Sequence, residues 1–154
     1  MTDTTAWRDP WLTARASAIT IHRDRRIFVT VARTGFREVL EWLVTVQGFT
    51  HISTITGSDV GSELEVIYHL ARQAVVVSVR VLVPKDDPTV PTVIDLLPGA
   101  AFYEREVQDL VGVTFPGNPA PSPLVLPDGW PHDVHPLRRE WPPERIKERL
   151  EGTE

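Results

Sequence analysis

Nine of the chain's fourteen prolines fall between Pro116 and Pro143, and no other feature restricts the fold so strongly. Proline fixes φ and carries no backbone N–H, so this stretch resists both helix and inner-strand structure. It also differs from a flexible linker. Between Thr114 and Leu137 the only charged side chains are Asp128 and Asp133, whereas disordered linkers are usually rich in charge and poor in large apolar groups. Phe115, Leu124, Val125, Leu126, Trp130 and Leu137 therefore need an apolar surface. The expectation is a stiff, extended arm with little internal hydrogen bonding, completed by a partner polypeptide.

The rest of the chain can supply a core of its own. With 154 residues and 42% hydrophobic content, it is long enough for one domain without disulfides or metals. It contains no cysteine, which removes thiolate-held iron–sulfur clusters, cysteine zinc sites and disulfides, and suits a reducing compartment. A formal charge of −5 argues against general nucleic-acid binding, because phosphate neutralisation needs a basic surface. The one basic cluster, Arg23, Arg25 and Arg26, is short and reads as the flank of a hairpin turn. No apolar run approaches the roughly 20 residues needed to cross a bilayer, and Met1 to Trp7 is polar with no signal-peptide core. A soluble, cytoplasmic chain is expected.

Hydrophobic spacing divides the first hundred residues. Asp9 and Pro10 predict an N-cap and first position of a short helix. Ile19 and Ile21, then Ile27, Phe28, Val29 and Val31, predict a hairpin about the polar turn His22 to Arg26. Thr34 opens a helix in which Phe36, Val39, Leu40, Leu43, Val44 and Val46 recur at three- and four-residue spacing, with Gly48 as its C-terminal cap. Ile52–Thr56, Leu64–Leu70 and Val75–Val83 predict an antiparallel meander, separated by the turn GSDVGS and a tight connection at Ala71 to Ala74. Val90–Leu97 and Ala100–Val111 return to helical spacing across Pro98-Gly99. The order α-β-β-α-β-β-β-α-α predicts an α+β two-layer sandwich with a mostly antiparallel mixed sheet. The expected organisation is an α+β domain over 1–113, the arm over 114–143 and a short charged helical segment over 144–154.

Ala100–Val111 carries the densest charge. On a helix Tyr103, Val107, Leu110 and Val111 form an apolar arc flanked by Glu104 and Glu106, while Arg105 and Asp109, four apart, share the polar side and can pair. Gly112 stands where a left-handed cap would turn the chain into the arm. Acids beside an apolar arc suit a surface that receives arginines or backbone N–H groups, although an ordinary solvated face is the plainer reading.

The run EREVQDLVGVTFPGNP (Glu104 to Pro119), followed by LPDGWP (Leu126 to Pro131) and HPLRREWP (His135 to Pro142), resembles the 30 kDa subunit family of respiratory complex I, the NADH:quinone oxidoreductase. That family includes the small subunit of energy-converting membrane-bound hydrogenases, to which the LPDGWP wording is the more similar. The residues that match the family pattern in kind are Glu104, Arg105, Glu106, Asp109, Leu110, Gly112, Val113, Phe115, Gly117, Pro119, Asp128, Pro136, Leu137 and Arg138. The resemblance implies a peripheral-arm scaffold with no active site of its own. It would dock against the large quinone-site (49 kDa-type) subunit, or a hydrogenase large subunit, and other peripheral-arm subunits on the cytoplasmic side of the cell membrane. It also implies that NADH, flavin, iron–sulfur clusters and quinone are held by other subunits. The partner interface expected is Glu104, Arg105, Glu106, Asp109, Phe115, Gly117, Pro119, Leu124, Leu126, Trp130, Pro136, Leu137 and Arg138, with Phe115, Leu124, Leu126 and Trp130 filling partner grooves. A free-standing adaptor is the alternative.

An enzyme reading has less to stand on. His132 and His135 could share a metal with Glu104, Glu106, Asp109, Asp128 or Asp133, but zinc or iron needs three or more converging ligands and the spacing brings only two together. Glu104 and Glu106 point about 200° apart on a helix and cannot flank one reacting bond. Gly112 to Gly117 has phosphate-loop spacing, yet Asn118-Pro119 stands where the lysine and hydroxyl would be. No G-x-G-x-x-G follows a strand and no G-x-S-x-G is present, so neither a dinucleotide nor an acyl-enzyme site is expected.

Overall fold

The computed structural model describes residues 7–23, 25–119 and 123–152. The polar lead-in over residues 1–6 and the Ala120–Ser122 part of the arm lie outside the described residues.

Helix α1 (Pro10–Arg15) begins as its sequence dictates, with the Asp9 carboxylate accepting the Trp11 N–H at 2.7 Å and Pro10 in the first turn. Strands β1 (Ala16–Arg23) and β2 (Arg26–Val31) form the expected antiparallel hairpin. Helix α2 (Arg33–Thr45) buries Phe36, Val39, Leu40, Trp42 and Leu43 on one stripe, and starts a residue ahead of Thr34, with Ala32 as an N-cap that offers no side-chain acceptor. The meander β3 (His51–Asp59), β4 (Glu63–Arg72) and β5 (Val75–Pro84) follows.

These strands form one sheet in the order β1-β2-β5-β4-β3, antiparallel except where β5 runs parallel to β2. A parallel neighbour needs a crossover, and α2 with β3 and β4 provides it. Alternation then sorts the sheet faces. Leu64, Val66, Tyr68 and Leu70 of β4 and Val77, Val79, Val81 and Val83 of β5 are buried; each such side chain contributes about 1.5–3 kcal/mol. Apart from buried Ser78, the alternate positions of β2, β4 and β5 are at most partly covered. Helices α2 and α3 (Ala100–Val111) contact the sheet, so the architecture is the expected two-layer α+β sandwich.

Two local expectations fail for identifiable reasons. Val90–Leu97 is not helical. The segment instead runs beside 114–116, which takes its backbone groups: Val90 N–H donates to Thr114 O at 3.0 Å, Thr92 N–H to Pro116 O at 3.2 Å, and Thr114 N–H to Pro88 O at 2.8 Å. The apolar residues Val90, Val93 and Leu97 are buried, but from a non-helical connection. Nor is GSDVGS a turn throughout, since Gly57–Asp59 continue β3 and pair with Val66, Glu65 and Leu64. Gly57 is there for space: a Cβ on it would lie 2.7 Å from Val107 Cγ1 and 3.0 Å from Val111 Cγ2 of α3, so this glycine lets helix and strand close together.

The arm corrects a larger expectation. It does not stand away from the globule. After the α3 cap it places Val113 and Phe115 in the core, passes along the C-terminal end of α3 and returns to the tip of β3 before α4 (Pro143–Glu151). Phe115, expected in a partner groove, belongs to this chain's own core.

Candidate docking seam on the third helix

Helix α3 holds the arm at three levels. At the first, Glu104 is buried and receives the Thr92 hydroxyl at 2.6 Å, the Val93 N–H at 2.9 Å and the Asn118 side-chain N–H at 2.9 Å. Burial pushes its pKa up, against the opposing pull of those three donors. One carboxylate thereby fastens the 90–97 connection and the start of the arm to the same helix. Nearby in the core, burial and then the Glu104 charge keep the Tyr68 hydroxyl well above its ordinary pKa.

At the second level, one carboxylate oxygen of buried Asp109 accepts three successive backbone donors, from Leu124 at 2.7 Å, Val125 at 2.8 Å and Leu126 at 3.4 Å. A proline-rich segment has few N–H groups to offer, and three of those it has converge on a single charge-assisted acceptor. Arg105 does not pair with Asp109. Its guanidinium reaches Pro123 O at 3.4 Å and the Phe102 ring, because Asp109 is turned inward to the arm.

At the third level, the helix end is closed by the segment HPLR. The last carbonyls of a helix have no partner within it, and here each finds one. His135 Nδ1 meets Asp109 O at 3.1 Å, Leu137 N–H donates to Leu110 O at 2.9 Å, and Arg138 donates from Nε to Val111 O at 2.7 Å and from Nη2 to Gly112 O at 3.2 Å. A carbonyl can only accept, so His135 carries its proton on Nδ1. Arg138 also brings positive charge to the negative end of the helix dipole. Gly112 makes the approach possible: its φ is +76°, and a Cβ there would lie 2.4 Å from the His135 ring.

Beyond the helix the arm ends on a clasp that sequence reasoning missed. Asp59, at the end of β3, accepts the Arg139 N–H at 3.0 Å and the Lys85 ammonium at 2.7 Å, and its own carbonyl accepts Arg139 Nε at 3.0 Å. Burial alone would raise the Asp59 pKa, but Lys85 and the N–H groups of Gly61 and Arg139 outweigh it and hold it at about 2. Asp59 sat in what reads as a surface turn, and nothing in GSDVGS signals a partner eighty residues away. The role of Asn118 was likewise illegible.

The expected interface residues thus fall into three groups. Glu104, Asp109, Phe115 and most of Arg138 are turned inward. Gly117, Pro119, Leu124 and Leu137 are exposed, while Arg105, Glu106, Leu126, Trp130 and Pro136 are half-buried. Trp130 donates Nε1 to Val134 O at 2.8 Å. Between the arm and the end of α3 lies a cleft of about 370 Å³, lined by Asp109, Leu126, Trp130, His132 and His135 among others. His135 is committed to the helix end and His132 is exposed on the rim, so the histidines serve different surroundings. Phe102, Leu124, Val125 and Leu137 leave apolar surface in solvent, with Phe102 and Leu137 64% and 56% exposed.

Residues 29–147 match the model of the respiratory-chain NADH dehydrogenase, 30 Kd subunit. The chain is similar to an NADH-quinone oxidoreductase subunit of Acidothermus cellulolyticus, with 42% identity over 129 residues, covering 80% of this chain and 64% of that protein. It spans less than two thirds of that relative's length. It is also similar to the membrane-bound hydrogenase subunit beta of Pyrococcus furiosus, with 30% identity over 120 residues, covering 75% of this chain and 69% of that one. In fold it matches a chain of the membrane-bound sulfane sulfur reductase, an archaeal respiratory membrane complex, with a TM-score of 0.78 and 27% identity over 92% of this chain and 87% of the other.

Proposed function

Since the chain belongs to the respiratory-chain NADH dehydrogenase 30 Kd subunit family, we propose that it is a non-catalytic peripheral-arm subunit that scaffolds the large quinone-site subunit of an NADH:quinone oxidoreductase. It contributes no active site, and NADH, flavin, iron–sulfur clusters and quinone sit in other subunits of the complex. The complex is attached to the cell membrane, and this subunit lies on the cytoplasmic side. Among the described residues no helix is long and apolar enough to cross a membrane, so attachment runs through neighbours.

One observation carries the reading. The arm is fixed to α3 by Asp109 and by the HPLR closure, yet Leu124, Val125 and Leu137 remain exposed on it. A segment ordered by backbone contacts while showing apolar side chains is preorganised for a partner, because the ordering cost is already met before association. The test is a paired substitution, Leu124→Ser with Val125→Ser, introduced into the native complex. The isolated chain keeps its circular dichroism, and copurification of the large subunit from solubilised membranes falls. Undiminished copurification with a folded variant contradicts the reading.

A second reading places the chain as the equivalent subunit of an energy-converting hydrogenase-like complex. The LPDGWP wording and the similarity to the hydrogenase beta subunit favour it. The identity of the copurifying large subunit separates the two.

A further inference from the structure

The sheet has a second feature that the arm does not explain. At the tip of the β1–β2 hairpin, His22, Arg23, Arg25, Arg26, Phe28 and Ala74 line an open concavity. Arg23 and Arg26 are register partners across the two strands. Like charges placed opposite one another destabilise a hairpin, and neither these two nor Arg25 makes an ion pair among the described residues. The arrangement is held rather than frayed: Arg25 O accepts the Val76 N–H at 2.9 Å, and β2 continues in register with β5 from Arg26. The floor is apolar, with His22 edge-on to Phe28 at 5.3 Å between ring centroids. Elsewhere Arg80 meets Glu65, Arg33 meets Asp87 and Lys85 meets Asp59, while Arg72 is satisfied by the Gln47 carbonyl and the Phe49 ring.

We propose that this hairpin tip is a docking site for an acidic polypeptide segment, whose aspartates or glutamates pair with Arg23, Arg25 and Arg26 while an apolar residue rests on Phe28. A basic patch without an ion pair among the described residues, on a chain of net charge −5, points to a complementary acidic surface. Arginine in preference to lysine suits the bidentate geometry of carboxylates. Three arginines interrupted in sequence by Asp24 fall below the clusters of about four to eight basic residues that hold anionic membranes. The overall negative charge disfavours a nucleic-acid phosphate backbone. This site lies at the opposite sheet edge from β3 and the arm clasp, and it stands or falls independently of the docking role of the arm.

The probe is a fluorescein-labelled decapeptide of alternating glutamate and leucine, titrated into the full chain by fluorescence anisotropy. Its glutamine-for-glutamate counterpart and phosphatidylglycerol vesicles serve as comparison arms. Binding of the acidic peptide is expected to weaken with added salt, and to fall about tenfold in the variant carrying Arg25→Glu and Arg26→Glu, the scale for reversing two exposed charge contacts. Both substituted side chains are exposed, and a thermal midpoint no lower than that of the natural chain confirms that the variant is folded, since Arg26→Glu places an acid opposite Arg23. If the midpoint falls, the milder Arg25→Gln variant is measured instead, with a smaller loss expected in the same direction. Equal binding of acidic and neutral peptides, no binding of the acidic peptide, or an unchanged affinity in the folded variant overturns the proposal. Vesicle binding without acidic-peptide binding overturns it in favour of a lipid surface.

Discussion

The two sides of α3 are built on different physics. Toward the sheet, Val107 and Val111 press against β3 at Gly57, and that contact is apolar volume distributed over many atoms. Toward the arm, order depends on a few acceptors: Glu104, Asp109 and the last carbonyls of the helix. The first kind of contact tolerates substitution by repacking. The second is concentrated, and removing one acceptor strands several donors together. A proline-rich chain cannot build a ladder with a neighbour, so single carboxylates take the place of the ladder.

That contrast is most severely tried by Glu104→Ala. It leaves the Val93 N–H, the Thr92 hydroxyl and the Asn118 amide without their acceptor, and the expected cost is about 3 kcal/mol in urea-induced unfolding. A loss below about 0.5 kcal/mol, the range of an ordinary surface change, would show that the seam does not depend on this carboxylate. Asp109→Ala is expected to cost less, about 1–2 kcal/mol, because its donors lie nearer solvent and water can replace the acceptor. Its clearer signature is local: limited proteolysis should cut within 116–131 while the sheet stays intact. Cleavage of sheet and arm at equal rates would erase the distinction between the two regions.

Acid should weaken the clasp at Asp59. The Asp59 pKa of about 2 lies below its unfolded value of about 3.9, so between these values the unfolded chain binds more protons. The stabilisation is therefore complete above about pH 4 and is lost as pH falls through about 2. Asp59→Asn should be less stable at neutral pH and lose less stability in that window, as read from unfolding midpoints across pH. An acid limb as steep as that of the natural chain would rule out Asp59 as its source. Smallest of all is Leu137→Ser, whose side chain is largely in solvent. The isolated chain should change by no more than about 0.5 kcal/mol, while copurification of a large subunit weakens; a marked loss of stability would mean that Leu137 is part of the chain's own packing.

The same contrast explains what the sequence could reveal. The α2 stripe, the β-branched-rich strands β4 and β5, the Asp9 cap and the Gly112 cap were legible because period, propensity and local capping are properties of neighbouring residues. Val90–Leu97 had helical spacing, yet pairing with 114–116 made it a non-helical connection. From spacing alone Asp109 reads as an interface acid paired with Arg105, and acceptance of backbone N–H groups reads as a role for Glu104 and Glu106 beside the apolar arc. That the donors belong to the same chain could not be read, because a fold that brings residue 124 to residue 109 leaves no periodic trace. The Asp59–Arg139 contact was invisible for the same reason, while the exposed Leu124, Val125 and Leu137 were foreseen as apolar groups in need of a surface.

Hydrogen exchange of the isolated chain tests the central claim most directly. If α3 orders the arm before any partner arrives, the amides of Leu124, Val125 and Leu137 exchange more slowly than an unfolded chain, and Asp109→Ala abolishes the protection at Leu124 and Val125 while that at Leu137 and in β4 and β5 persists. Exchange of the arm amides at unfolded rates, beside a fully protected sheet, would contradict it.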